Sequence, residues 1–259
     1  MNDFALPNPS NDLSEHVALV TGATSGLGWR FARVLASQGA KVAIAGRRVE
    51  RLESLKSIIE KDGGAAFVAP VDMKDADAIV KIVDDIEAKL GLLTILVNNA
   101  GMPDAQLATR MSIDLIDSVI AVNLRGPFIL SAEVAKRLIK QKRSGRIINI
   151  SSIAAYNYDG NGAALYAVTK AGIAKMAEAL AVEWARFNIN VNAIAPGMFI
   201  SEMTDGMFER MGGNPAPNTP RNRICDPAQL DSTLLFLCSP ASDAVTGTVI
   251  KVDDGQNSR

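Results

Sequence analysis

The chain has little of what metal sites and disulfide scaffolds require. Its 259 residues include two cysteines, Cys225 and Cys238, and one histidine, His16. Two thiols and one imidazole cannot complete a conventional zinc site, so no metal is expected. The cysteines read instead as buried or half-buried thiols that pack like small apolar side chains. Charge bias is missing too: 27 basic and 28 acidic residues nearly cancel, which leaves no electrostatic footprint for nucleic acid. No apolar run is long enough to span a bilayer. The first residues carry Asn, Asp and early prolines, where a signal peptide would carry a basic stretch followed by an apolar one. The expected compartment is therefore the cytoplasm, with neither membrane nor nucleic acid as partner.

Apolar residues are plentiful at 48%, against 21% charged, and the length suits a single large α/β unit. Residues 1–14 read as a loose N-terminal arm, and 15–259 as one domain. Short apolar runs recur at 17–21, 41–45, 65–69, 93–97, 146–150, 189–194 and 248–252. Most are apolar on both alternations, as strands covered on both faces must be. Between them lie helical stripes. Leu27, Phe31, Val34 and Leu35 share one helix face; Leu52, Leu55 and Ile59 share a second; Ile79, Val83, Ile86 and Leu90 share a third. Strand–helix alternation requires crossover connections, so the expected fold class is α/β: a Rossmann-type, doubly wound parallel sheet of about seven strands with helices on both faces. Residues 201–226, rich in Met, Gly, Pro and Asn, read as a mobile substrate loop.

The first run ends in T-G-A-T-S-G-L-G, Thr21 to Gly28, and a helix follows at once. Gly22 permits a tight turn, Gly26 lets backbone approach a pyrophosphate, and Gly28 allows close helix–strand packing. The free N–H groups of the helix then face the phosphates. Gly22, Thr24, Ser25, Gly26, Leu27 and Gly28 are the expected contacts. A carboxylate at the end of the second run would take an adenine ribose hydroxyl. Gly46, Arg47 and Arg48 stand there instead. Two guanidiniums suit a ribose 2′-phosphate through charge-assisted bonds, so NADP(H) is the expected cofactor, with NAD(H) as second choice and Arg47 the stronger of the two arginines. Asp72, with Met73 beside it, is placed to accept from an adenine amino group; its alternative role is as a carboxylate near a helix start.

These motifs, followed by N-N-A-G at 98–101, V-N-L at 122–124, N-I-S-S at 149–152, Y-A-V-T-K at 166–170 and P-G at 196–197, resemble the short-chain dehydrogenase/reductase family in order and spacing. The resemblance covers nearly all of residues 16–255, on the ordinary-length branch that includes 3-oxoacyl-[acyl-carrier-protein] reductases and related carbonyl reductases. It implies a catalytic tetrad of Asn123, Ser152, Tyr166 and Lys170. It also implies cofactor contacts at Asn99, Ala100 and Gly101, and a nicotinamide-holding segment at Pro196, Gly197, Phe199 and Ser201, with Ser201 where threonine is more usual. Asn123 would hold a water linking Lys170 to solvent. Family members are commonly tetramers, so a homo-oligomer, tetramer or dimer, is implied, pairing helices near 112–141 and 163–187. The gap from Ser152 to Tyr166 is one residue longer than the commonest family spacing, and the extra residue is expected in the Tyr156–Gly162 loop.

The residue types fit ketone chemistry. A carbonyl needs hydride at carbon and a proton at oxygen. A phenol has a reference pKa near 10, too high to cycle easily at neutral pH. Lys170, four residues on, shares a helical face with Tyr166, and its cation favours phenolate. Lowering such a pKa by ~3 units takes about 4 kcal/mol, part of which the oxidised nicotinamide's charge would supply. Ser152 would bond the substrate oxygen. Ser151 and Ser152 face opposite ways at a strand end, and the second of the pair is favoured. Tyr156, Tyr158, Met203, Met207, Phe208 and Met211 are expected around the substrate, favouring an apolar or amphipathic carbonyl compound. An NAD-dependent secondary alcohol dehydrogenase is the main rival reading, and a non-catalytic dinucleotide sensor a weaker one. A sugar-nucleotide epimerase would need a further C-terminal substrate domain.

Overall fold

The computed structural model describes residues 10–158, 160, 162–202, 204, 208 and 213–256. All seven apolar runs are strands: β1 (Val17–Thr21), β2 (Lys41–Gly46), β3 (Ala65–Pro70), β4 (Ile95–Asn98), β5 (Gly145–Ile150), β6 (Ile189–Pro196) and β7 (Val249–Val252). They form one parallel sheet in the order β3-β2-β1-β4-β5-β6-β7. Every residue of β1, β4, β5 and β6 is buried, including the polar Asn98, Arg146, Asn149, Asn190 and Asn192. The edge strands β3 and β7 have a neighbour on one side only and are mostly half-buried.

Helices cover both faces. One layer holds α1 (Gly26–Ser37), α2 (Val49–Lys61) and α7 (Asp231–Cys238). Phe31, Leu35, Leu52, Leu55, Ile59, Leu234 and Leu237 bury their side chains there against Val20, Ile44 and Ile148. The other layer holds α3 (Ala76–Leu90), α5 (Gly126–Gln141) and α6 (Ala164–Trp184), packed on Leu19, Leu96, Ile147 and Val191. Polar ties hold neighbouring helices together. Arg30 of α1 makes a bidentate pair with Asp231 of α7, and Arg137 of α5 reaches Glu87 of α3 at 3.2 Å.

A short helix, α4 (Ile113–Ile120), leads through a π-helical turn, Ala121–Arg125, directly into α5. Of the expected N-terminal arm, residues 10–14 are described, and Leu13 is fully buried with its N–H bonded to the Gln38 carbonyl. Both cysteines are buried free thiols, Cys225 pushed up to about 11 and Cys238 up to about 12, chiefly by burial, so neither is a ready nucleophile. Among the described residues no cluster of His, Cys, Asp and Glu could hold a metal ion, and no helix is long and apolar enough to cross a membrane.

Candidate active site

Strand order runs outward in both directions from the β1–β4 pair, so the connections from their C-terminal ends leave on opposite sides and a crevice opens between them. The turn after β1 is fixed there by the segment after β4. The Thr21 hydroxyl accepts from the N–H groups of Asn99 and Ala100, both at 3.0 Å, and the Asn99 amide donates to the carbonyls of Thr21 and Gly22. The Asn99 side chain is therefore spent on holding the turn. Gly28 answers the same closeness: a Cβ there would stand 2.4 Å from both the Gly22 carbonyl oxygen and Asn99 Nδ2.

The resulting cleft of about 900 Å³ runs along the C-terminal ends of the strands. Of the residues expected as cofactor contacts or members of the tetrad, all line it except Gly28 and Asn123. The wall residues that sequence reasoning missed include Pro103 after β4, Leu115, Ser118 and Val122 from α4 and the π turn, and Glu202. The spacing of 115, 118 and 122 is a helical stripe and could have been found; Glu202 left no local signal.

One end of the cleft suits a dinucleotide's phosphates. Helix α1 starts at Ser25 with no side-chain cap and no acidic residue in its first turn, whereas α3 is capped by Asp75 and α4 by Ser112. Its free N–H groups face the cleft beside Gly22 and Gly26, both at positive φ. Arg48 lies on this turn, donating to Thr24 Oγ1 at 2.9 Å and Ser25 Oγ at 3.0 Å. It also pairs with Glu202 at 2.9 Å, and the same carboxylate lies 3.6 Å from Arg51. Arg47 is exposed and makes no hydrogen bond or ion pair with a described residue. Both arginines line the cleft. Asp72 lines the cleft while accepting from the Lys74 N–H, and the helix cap beyond it is Asp75.

At the other end stand Ser152, Tyr166 and Lys170. Ser151 and Ser152 do face opposite ways: Ser151 Oγ donates to the Lys170 carbonyl at 2.8 Å, while the Ser152 hydroxyl accepts from the Ala154 N–H at 3.1 Å and stands toward the Tyr166 phenol, whose ionised form it favours. Lys170 Nζ lies 5.5 Å from the Tyr166 ring centroid and donates to the Ile150 carbonyl at 2.7 Å. Burial raises the Tyr166 phenol above its ordinary value, Ser152 opposes the rise and the Asp104 charge adds to it, and burial lowers Lys170 to about 8.

Asn123 is buried in the π turn, accepts from the Met102 N–H at 2.9 Å, and donates to the Met102 carbonyl and to Thr169 Oγ1. Both of its donors are committed, so its side chain pins the loop after β4. Tyr156 differs from expectation: its ring packs under Lys251 at 4.3 Å, and neither it nor Tyr158 lines the cleft. The segment after β6 closes the far side. Gly197 leaves no room for a Cβ beside Gln256 and Asp253, and the Ser201 hydroxyl meets Thr204 Oγ1 at 3.1 Å. Met203, Met207 and Met211 lie outside the described residues, as do Asp159 and Asn161 in the Tyr156–Gly162 loop; Phe208 is half-buried.

Residues 16–212 match the short chain dehydrogenase family. The chain is 37% identical over 245 residues to a 3-oxoacyl-[acyl-carrier-protein] reductase of Thermotoga maritima, covering 94% of this chain and 98% of that one. It is 35% identical over 245 residues to gluconate 5-dehydrogenase of Gluconobacter oxydans, covering 94% and 95%. Among solved structures, a gluconate 5-dehydrogenase from Burkholderia cenocepacia in complex with NADP and tartrate superimposes with a TM-score of 0.89 at 31% identity, over 96% of this chain and 97% of that one.

The displaced ionisation of Lys170 has a consequence for stability. The ammonium gives up its proton near pH 8 in the fold and near 10.5 as a free side chain. Between those values the unfolded chain binds the extra proton, so this group makes stability rise with pH. Above about 10 the raised phenol reverses the trend, because the unfolded chain then loses a proton that the fold retains. Urea midpoints are expected to show this contribution between about pH 8 and 10, and Lys170→Met to remove it. Parallel pH profiles for the two proteins would show that Lys170 is not the group responsible.

Proposed function

The chain belongs to the short-chain dehydrogenase family and is an NAD(P)-dependent oxidoreductase acting on CH–OH and C=O groups; on that premise we propose that it interconverts a ketone and a secondary alcohol, with NADP(H) preferred and Tyr166 as acid/base. The observation that carries this reading is that one cleft joins an uncapped helix start and Arg48 at one end to Ser152, Tyr166 and Lys170 at the other.

The turn 22–28, Arg48 and the segment 196–201 would hold the cofactor, which when bound supplies or takes up the hydride at the substrate carbon. The protein's own part is proton handling. In reduction, the Tyr166 hydroxyl gives its proton to the substrate oxygen. Burial favours the protonated phenol, so the acid is loaded before the step. Ser152 donates to the same oxygen as negative charge grows on it. Lys170, still mostly charged at neutral pH with its pKa at about 8, stabilises the phenolate left behind. In oxidation the phenolate is the base and the sequence reverses. A homo-oligomer is also part of this reading, supported by apolar side chains exposed along the outer helices: Ile113 of α4, Phe128 of α5, and Val168 and Val182 of α6. Residues 201–226 would act as the substrate loop.

Tyr166→Phe removes the proton and keeps the ring. With NADPH and a 3-oxoacyl thioester, or with NADP+ and gluconate, turnover is expected to fall by at least about 10²-fold while cofactor binding holds within about three-fold. Full turnover in that variant would end the assignment, and cofactor binding without turnover in the parent protein would favour a sensor.

The rival reading, an NAD-dependent secondary alcohol dehydrogenase, draws on Glu202, which already neutralises Arg48. A ribose 2′-phosphate would displace that carboxylate. Arg48→Ala is therefore expected to weaken NADPH about ten-fold or more and leave NADH little changed, by loss of charge-assisted bonds. Glu202→Gln is expected to tighten NADPH several-fold. An NADPH-to-NADH affinity ratio untouched by both substitutions would favour the rival.

A further inference from the structure

Helix α6, which carries Tyr166 and Lys170, begins without a cap of its own. Its N-terminal flank is Ala163, which offers no side-chain acceptor. The first-turn N–H groups of a helix need partners from elsewhere, and Tyr166 sits in that first turn. Its N–H donates to Asp104 Oδ2 at 3.0 Å, across 62 residues of sequence. The other carboxylate oxygen accepts from the Ala105 N–H at 2.9 Å. Asp104 is 4% exposed, and among the described residues no cation pairs with it. Two backbone N–H groups and the positive end of α6 balance its charge instead.

The surroundings hold this carboxylate in place. Ala105 takes a left-handed conformation, φ 51, which non-glycine residues rarely adopt. Gly162, just before α6, has φ +72, and a Cβ there would stand 3.2 Å from the Gln106 carbonyl carbon. The loop after β4 thus lies directly against the start of α6. Upstream, the same loop is pinned at Met102 by Asn123.

We propose that Asp104 is a positioning residue for the reaction, acting as a long-range cap that holds the first turn of α6 and so fixes where the Tyr166 phenol stands. This rests on the assignment of Tyr166 as acid/base. The groups facing the phenol are Ser152 from the end of β5, Lys170 on its own helix, and Asp104. Asp104 is the one anion among them, and it disfavours phenolate.

Four full-length proteins test this: the parent, Asp104→Ala, Asp104→Asn and Tyr166→Phe. The measurements are NADPH binding, kcat and KM, the pH profile of alcohol oxidation, and amide exchange at the start of α6. Asp104→Ala is expected to lower kcat about ten-fold or more, with KM and NADPH affinity within about three-fold, and to speed exchange of the Tyr166 N–H. Asparagine keeps an acceptor oxygen and loses the charge. Asp104→Asn is therefore expected to keep kcat within about three-fold and to move the basic ionisation of the profile to lower pH, because the anion opposing phenolate is gone. Parental kcat and exchange in Asp104→Ala overturn the proposal. So do equal losses in both variants with no shift of the profile, which would mark general damage to the fold. Should Asp104→Ala fail to fold, the Asp104→Asn profile alone decides: shifted supports, unshifted overturns. An active Tyr166→Phe sinks the acid/base assignment itself, whereas an inactive one beside parental Asp104 variants sinks only the positioning role.

Discussion

A single threonine hydroxyl stands where the sheet divides, and the cleft depends on it. Thr21 Oγ1 takes the N–H groups of Asn99 and Ala100 and can give its own proton to the Val97 carbonyl, while Asn99 returns two bonds to the turn after β1. The ladder pairs β1 with β4 as far as Val20 and Val97, so the segments that leave the strand ends beyond it need a further tie. The clamp supplies it with buried and half-buried hydrogen bonds, each of which would be costly to leave unmade. Gly28 can approach the turn only because that tie holds. The start of α1, held by Gly28, is then aimed along the crevice with its N–H groups free.

At the far end the governing quantity is desolvation. Lys170 is buried and Tyr166 half-buried, and removal from water penalises the charged form of each. The site therefore rests with the phenol protonated and the lysine charge weakly held. Contacts that oppose this tendency come from groups anchored elsewhere: Ser152 on the phenol, the Ile150 carbonyl on the ammonium. Neither can move far, since Ser151 is tied to the α6 backbone and Ile150 lies within the central strand β5. The chemistry is thus tuned by the sheet itself through residues at the end of one strand.

The fold was legible because its signals are local and repeated. Runs such as V-A-L-V-T and L-T-I-L-V announce double-sided burial, and the glycine turn after Thr21 announces a helix start left free to meet a ligand. β3 and β7 fell short of full burial because strand position in a sheet is a tertiary fact absent from any short run. Of the site, the residue types were readable and their neighbours were not. Arg47 and Arg48 are indistinguishable until the strand end shows which one lies over Thr24. The Asn123 amide looks free in V-N-L and is spent on Met102 in the fold. Asp104 and Glu202 act on partners 62 and 154 residues away, and nothing in their own sequence surroundings marks them.

The π turn at Ala121–Arg125 sets a limit on how this chain can vary. A π turn accommodates one residue more than regular α geometry. Removing a single residue from it would return the stretch to regular α geometry and erase the wide turn that carries Asn123. The Asn123 side chain would then lose its bonds to Met102. Deletions that loops absorb without effect would therefore be lost from this stretch during descent, even though no residue in it need touch a ligand.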